Sequence, residues 1–199
     1  MKVLAIESSC DDTSFAIVNG DKKVDFHETI NHRKFHHEHG GVVPEMAARQ
    51  HLDIMDHLSK FHKRINFANI DAIASTYGPG LIGGLIVGSS FAKGLALSYQ
   101  KKIIPINHLQ AHLLSPRLVS QLSFPYLCLL VSGGNTALVL VKNARKFITL
   151  GSTIDDSAGE CFDKVAKAMK LGYPGGPVIE KLALKGIHLH LVCPSLYQK

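Results

Sequence analysis

No stretch of this chain is apolar for long enough to cross a bilayer, and no basic leader with a small-residue cleavage site precedes the strand-like Val3-Leu4-Ala5-Ile6. A cytoplasmic protein without a membrane partner is expected on those grounds. The four cysteines, Cys10, Cys128, Cys161 and Cys193, form no C-x-x-C pair. That excludes a zinc knot of the usual spacing and fits reduced, mostly buried thiols better than a disulfide framework. Glutamate is missing where a zinc hydrolase would need it: His108 and His112 stand four residues apart, but Gln110 lies between them and cannot act as a general base. The basic clusters at Lys60, Lys63 and Arg64, at Lys142, Arg145 and Lys146, and at Lys164, Lys167 and Lys170 carry no interleaved aromatics, so no single-strand stacking platform is legible. The net charge of +6 permits a polyanionic partner, while a solvated helix face explains each cluster equally well.

What is present is a core: 46% hydrophobic content over 199 residues supplies one large domain or two small ones. Residues 2–7 read as a buried strand, 8–13 as a polar turn, 15–18 as a second strand and 24–29 as a third. The stretch 31–41, with His32, His36, His37 and His39, reads as an exposed loop. A helix opens at Pro44, with Ala48, Leu52, Met55, Leu58 or Ser59, and His62 along one stripe. Further elements follow as a strand at 70–76, a helix at 81–99, a strand at 103–106 and a helix carrying the histidine pair. Pro116 lacks the amide that would bond the carbonyl of His112, so this helix is predicted to kink or open there. Three strands, then two helix-linked strands, is the order of a ribonuclease-H-like unit. The hairpin repeats at 126–131, 137–141 and 147–151, again ahead of a helix. The fold class expected is therefore α/β, a duplicated actin-like ATPase (ribonuclease-H-like) fold whose two turns face one another across a cleft, with the second unit incomplete. Residues 1–120 form the first unit, 121–186 the start of the second, and 187–199 a tail without a match.

Several motifs carry candidate chemistry. Gly78, Gly80 and Gly83 satisfy G-x-G-x-x-G between a strand and a helix, but the next strand ends in no acid for a ribose, and Pro79 favours a rigid turn. Histidines at i and i+4 leave one face of a helix, which places His108 and His112 to share a divalent metal; two histidines falling there by chance in a histidine-rich chain is the alternative. Ser132, Gly133 and Gly134 offer unobstructed backbone amides to a phosphate. Across the cleft, Glu7, Asp11 and Asp12 place carboxylates where a phosphate-bound magnesium would be held, Asp11 and Asp12 being the candidate catalytic pair. For either loop alone, a tight hairpin is the simpler reading. Asp156, Glu160 and Asp163 follow one helical face, with Asp163 a candidate for sugar hydroxyls, although the helix dipole favours acids in a first turn without any ligand. Tyr173-Pro174-Gly175-Gly176-Pro177 is a rigid turn whose bare glycines suit a flat base, a plain connector being the commoner use of such a loop.

Taken together, I-E-S-S-C-D-D-T at 6–13, G-G-V-V-P-E at 40–45, G-P-G-L-I-G-G at 78–84, H-L-Q-A-H at 108–112, S-G-G-N-T at 132–136 and I-D-D-S-A-G-E-C-F-D-K at 154–164, followed by Y-P-G-G-P, resemble the TsaD (Gcp or YgjD) family of tRNA N6-adenosine threonylcarbamoyltransferases. The resemblance implies that His108 and His112 ligate iron or zinc. It implies that Leu130, Val131, Ser132, Gly133 and Gly134 hold threonylcarbamoyl-adenylate, with Asp163 and Gly176 on its nucleoside part. The threonylcarbamoyl group would pass to the N6 of an adenosine beside the tRNA anticodon. Expected companions are an ATP- or AMP-type nucleotide with magnesium, tRNA, a paralogous TsaB-like subunit and a small ATPase subunit. Gln110 stands where the family usually has Glu and Asn135 where it usually has His, and the family's third metal ligand, an Asp near its C-terminus, has no counterpart in this sequence. A truncated member is expected, or a non-catalytic remnant that binds nucleotide or a partner subunit.

Overall fold

The computed structural model describes residues 1–32, 41–61 and 65–186. Strands β1 (Lys2–Glu7), β2 (Asp12–Asn19) and β3 (Val24–Asn31) form an antiparallel meander, because the turns between them are too short for any other pairing. Helix α1 (Pro44–Phe61) leads to β4 (Ala72–Gly78), which pairs with β1 in parallel, Val3 opposite Ala72. Helix α2 (Ile82–Ser98) returns the chain to β5 (Lys102–Asn107), parallel to β4. The sheet order β3-β2-β1-β4-β5 is the ribonuclease-H-like order that the element sequence predicts. Leu4, Ile6, Phe15, Met55, Ile73 and Ala92, all nearly inaccessible, form its core.

Helix α3 (His108–Leu114) starts where β5 ends, its N-terminus capped by the Asn107 side chain accepting from the Gln110 amide. The break expected at Pro116 is present: α4 (Pro116–Val119) begins a new short helix, and the carbonyl of His112 accepts instead from the Ser115 hydroxyl at 2.9 Å. A second antiparallel sheet of β6 (Tyr126–Val131), β7 (Thr136–Asn143) and β8 (Lys146–Ser152) repeats the opening meander and is followed by α5 (Ala158–Ala168) and α6 (Gly175–Ala183). The fold is thus the duplicated, actin-like arrangement, with no counterpart of β4 and β5 in the second unit among the described residues. Leu113 of α3 packs with Leu130, Val139 and Val141, so the histidine helix is also where the second sheet rests.

Two expectations are corrected. The buried stripe of α1 runs through Ala47, His51 and Met55, whereas Leu52 is 61% exposed. A count of apolar residues favours Leu over His, but His51 is buried without an unsatisfied nitrogen: it bonds the Thr13 hydroxyl at 2.7 Å and the Cys10 carbonyl at 3.1 Å. Leu58, Ser59 and His62 lie outside the residues whose side chains are described. His32 is likewise not on an exposed loop but buried, 3.1 Å from the same Thr13 hydroxyl; His36, His37 and His39 fall outside the described residues.

Candidate functional site

The carboxyl ends of β1, β4 and β5 lie side by side in the parallel part of the first sheet, the place where open α/β sheets collect functional groups. Glu7 ends β1, Thr76 lies near the end of β4, and His108 opens α3 directly after β5. These three meet. Glu7 Oε2 accepts from the Thr76 hydroxyl and lies 3.3 Å from His108 Nδ1, while Glu7 Oε1 accepts from the Ser9 amide at 2.6 Å. Ser9 Oγ is 3.0 Å from the same His108 Nδ1. The His112 ring stands edge-on to that of His108, centroids 4.5 Å apart, so the helix does bring both imidazoles to one face.

The electrostatics follow from this packing. Burial alone would raise the Glu7 carboxyl, but hydrogen bonds from His108, Ser9 and Thr76 outweigh it and hold the group at about 2. His108 is raised to about 9, first by its hydrogen bond with the Cys10 side chain and then by Glu7, against burial. His112 is lowered by burial and by the neighbouring His108. Glu7, read from the sequence as a magnesium carboxylate, is therefore committed to protein donors. The charges of Asp11 and Asp12, like that of Glu7, reach the His51 ring.

These shifts give a pH dependence. Burial lowers His51 from 6.5, so the unfolded chain takes up a proton before the folded protein does. The stability contributed by neutral His51 is complete above pH 6.5 and lost as pH falls through its folded value, at up to about 1.4 kcal/mol per pH unit. His112 acts in the same sense. The contribution of Glu7 is complete above 4.5 and lost only as pH falls through about 2; that of raised His108 is complete below 6.5 and lost as pH rises through about 9. Between pH 6.5 and 4.5 the falling urea midpoint should therefore report His51 and His112, and His51→Gln should flatten it. An unchanged pH profile in that variant would refute the assignment.

The second group of residues sits around the β6–β7 turn. The Ser132 amide donates to the Asn135 carbonyl at 2.8 Å, the Asn135 amide returns to Ser132 Oγ at 3.0 Å, and the turn is pinned to the start of α5 by Gly159 N–H to the Ser132 carbonyl and by Ser157 Oγ to the Gly133 carbonyl. Gly133 and Gly134 are exposed, and neither amide donates to a described residue. A cavity of about 240 Å³ joins this turn to the histidine helix, lined by Leu109, Leu113, Leu130, Gly134, Asn135 and Val139 among others. Neither imidazole lines it. Leu130 faces this cavity, whereas Val131, the next residue on a pleated strand, is 53% exposed. A larger open groove of about 440 Å³, between residues 20–22 and 117–121, shares none of these residues.

Asp163 does not share a face with Asp156 and Glu160. Asp156 precedes the helix, which Ser157 caps, and both Asp156 and Glu160 pair with Lys164. Asp163 turns toward α6 and accepts from the Gly175 amide at 2.7 Å. Gly175 is closed in by the Phe162 carbonyl, while a Cβ on Gly176 would meet nothing within 4 Å.

The parts that sequence reading missed are Ser9, Thr76 and His51. The available signal was that Thr76 lies near the end of the strand next to β1, since neighbouring strand ends pool their side chains. As for metal, among the described residues no three His, Cys, Asp or Glu side chains converge as ligands. His108 and His112 nevertheless fit half of a ligand set: an imidazole whose Nδ1 faces a carboxylate has its Nε2 for a metal.

Residues 23–198 match the TsaD family, tRNA N6-adenosine threonylcarbamoyltransferase; that span takes in most of the tail that reads as unmatched from sequence. The chain is 51% identical over 189 residues to the tRNA N6-adenosine threonylcarbamoyltransferase of Orientia tsutsugamushi (strain Boryong), covering 94% of this chain and 55% of that protein. It is 52% identical over 190 residues to that of Wolbachia sp. subsp. Drosophila simulans (strain wRi), covering 92% and 56%. The chain thus spans about half the length of the curated relatives it matches. Among solved structures, the ethanolamine utilization protein EutJ from Carboxydothermus hydrogenoformans superposes with a TM-score of 0.50 at 12% identity, over 93% of this chain and 70% of that one, a likeness of fold alone.

Proposed function

The chain belongs to the tRNA N6-adenosine threonylcarbamoyltransferase family, and from that premise we propose that its site serves threonylcarbamoyl transfer from threonylcarbamoyl-adenylate to the N6 of an adenosine beside a tRNA anticodon. The N6 nitrogen attacks the carbamoyl carbon, its bond to the phosphate oxygen breaks, N6 gives up a proton and AMP leaves. The observation that carries the reading is the pair of bare glycine amides at Gly133 and Gly134, beside a cavity whose far wall is the histidine helix.

In this reading the Gly133 and Gly134 N–H groups bind the phosphate of the adenylate, and the start of α5 holds their turn rigid. Leu130, Leu109 and Leu113 form an apolar wall that keeps water from the acyl group. Val131, exposed on the opposite side of β6, contributes through its backbone, and Asp163 contributes by setting the α6 start, where Gly176 is open to the nucleoside. An iron or zinc ion on His108 and His112 would supply Lewis acidity to the carbamoyl oxygen. Asp11 and Asp12 would hold magnesium on an ATP- or AMP-type nucleotide. tRNA, a TsaB-like subunit and a small ATPase subunit are the partners proposed.

A second reading, nucleotide or partner binding without transfer, draws on the two-histidine set, which lacks a third ligand among the described residues. One assay separates the two. The chain is given threonylcarbamoyl-adenylate, unmodified tRNA and the partner subunits, and nucleosides are analysed by mass spectrometry. Modified adenosine is expected; AMP-type nucleotide bound without modified tRNA would leave only the second reading.

A further inference from the structure

We propose that Glu7 is the positioning residue of the histidine pair: its carboxylate, locked between two strands and a turn, fixes the tautomer and direction of His108 so that Nε2 is the nitrogen presented to a metal. This rests on the reading in which His108 and His112 hold one.

The geometry is specific to a carboxylate. Oε1 takes the Ser9 amide at 2.6 Å, a donor that cannot reverse, so an acceptor must stand at that position. Oε2 takes the Thr76 hydroxyl from the neighbouring strand and faces His108 Nδ1 at 3.3 Å. With both oxygens acceptors, Nδ1 keeps its hydrogen, so the proton that a metal displaces from the charged ring is the one on Nε2, and the ligating lone pair is then that of Nε2, the arrangement in which a metal-ligating imidazole is found. Thr76, 4% exposed, and the backbone of Ser9 leave the carboxylate little freedom to swing away.

Glu7→Gln tests the idea at nearly constant shape. The amide oxygen must face Ser9 N–H, which puts the NH2 group at the Oε2 position, where it donates to Nδ1 and drives the ring hydrogen to Nε2. The probe is Zn2+ in competition with a chromophoric chelator, on the full chain. Glu7→Gln should weaken zinc binding by about 10–100-fold, the usual effect of removing a carboxylate behind a ligating histidine. Circular dichroism should be unchanged, and in a His108→Ala background the same substitution should cost nothing further. Ser9 Oγ competes for the same nitrogen at 3.0 Å. Ser9→Ala should therefore stay within ~threefold of wild type, the scale of one neutral hydrogen bond. Thr76→Val, which frees one side of Glu7 and keeps its charge, should fall between the two and serves if Glu7→Gln fails to fold. Wild-type affinity in both the Glu7 and Thr76 variants, or a loss carried by Ser9→Ala alone, overturns the assignment of Glu7. A wild-type chain that retains no zinc, or retains it in His108→Ala, overturns the metal reading as well, so the two failures are told apart.

Discussion

Gly84→Ala should lower the thermal midpoint by about 4–8 °C, and Gly94→Ala on the same helix should raise it. Both sites lie in α2, where alanine is intrinsically favoured over glycine by about 1 kcal/mol. At Gly94 a Cβ meets nothing within 4 Å, so that preference is the whole effect. At Gly84 the same atom would sit 2.3 Å from the Ser8 carbonyl oxygen and 2.9 Å from His51. A backbone oxygen cannot rotate out of the way, and the Ser8 hydroxyl already holds the two segments together by donating to the Gly84 carbonyl at 2.9 Å. Overpacking of this kind costs about 1–3 kcal/mol, and contact with backbone places Gly84 at the upper end, for a net loss of about 2 kcal/mol after the helix gain. For a chain of this size each kcal/mol moves the midpoint by about 2–4 °C. Calorimetry on the two variants would settle the matter, and equal shifts of the same sign would refute the packing account.

The same residues show how far the sequence could be read. Strand order, the paired meanders and the break before Pro116 were legible, because alternation, turn residues and proline act within a few positions of themselves. The reason for the glycines in 78–84 was not. They satisfy a dinucleotide pattern, yet Gly83 and Gly84 let α2 approach Ala48, Ser8 and His51, and Gly80 accommodates the Ser9 backbone. A motif states where bulk is forbidden and leaves open whether ligand or protein occupies the space. His51 was hidden for a similar reason: its burial depends on Thr13 and the Cys10 carbonyl, 38 and 41 positions away in sequence. Asp163 was legible only as a helical acid in line with Asp156 and Glu160, because its partner, the Gly175 amide, belongs to the next helix. Glu7 was legible as an acid at a strand end and illegible as a partner of His108, since 101 positions separate them.

The glycines of the second turn divide in the opposite way, and this yields the largest functional effect. Gly133→Val should fold with an unchanged midpoint and lose AMP binding by roughly 100-fold, whereas Gly159→Ala should lose both stability and binding. At Gly133 and Gly134 a Cβ meets nothing within 4 Å, and neither residue has a positive φ, so the fold supplies no reason for glycine at either position. At Gly159 the reason is plain: a Cβ would lie 2.6 Å from the Ser132 carbonyl oxygen and 2.8 Å from Gly133 Cα, prising the turn from the helix start that holds it. A valine at 133 would cover the adjacent exposed amides; since a hydrogen bond to a charged oxygen contributes about 1.5–3 kcal/mol and each 1.4 kcal/mol is a factor of ten, losing one or two of them accounts for the expected weakening. Titration calorimetry with AMP, run beside thermal melts, distinguishes the cases. Retained AMP affinity in Gly133→Val, at wild-type stability, would remove the phosphate from this turn and with it the placement of the adenylate.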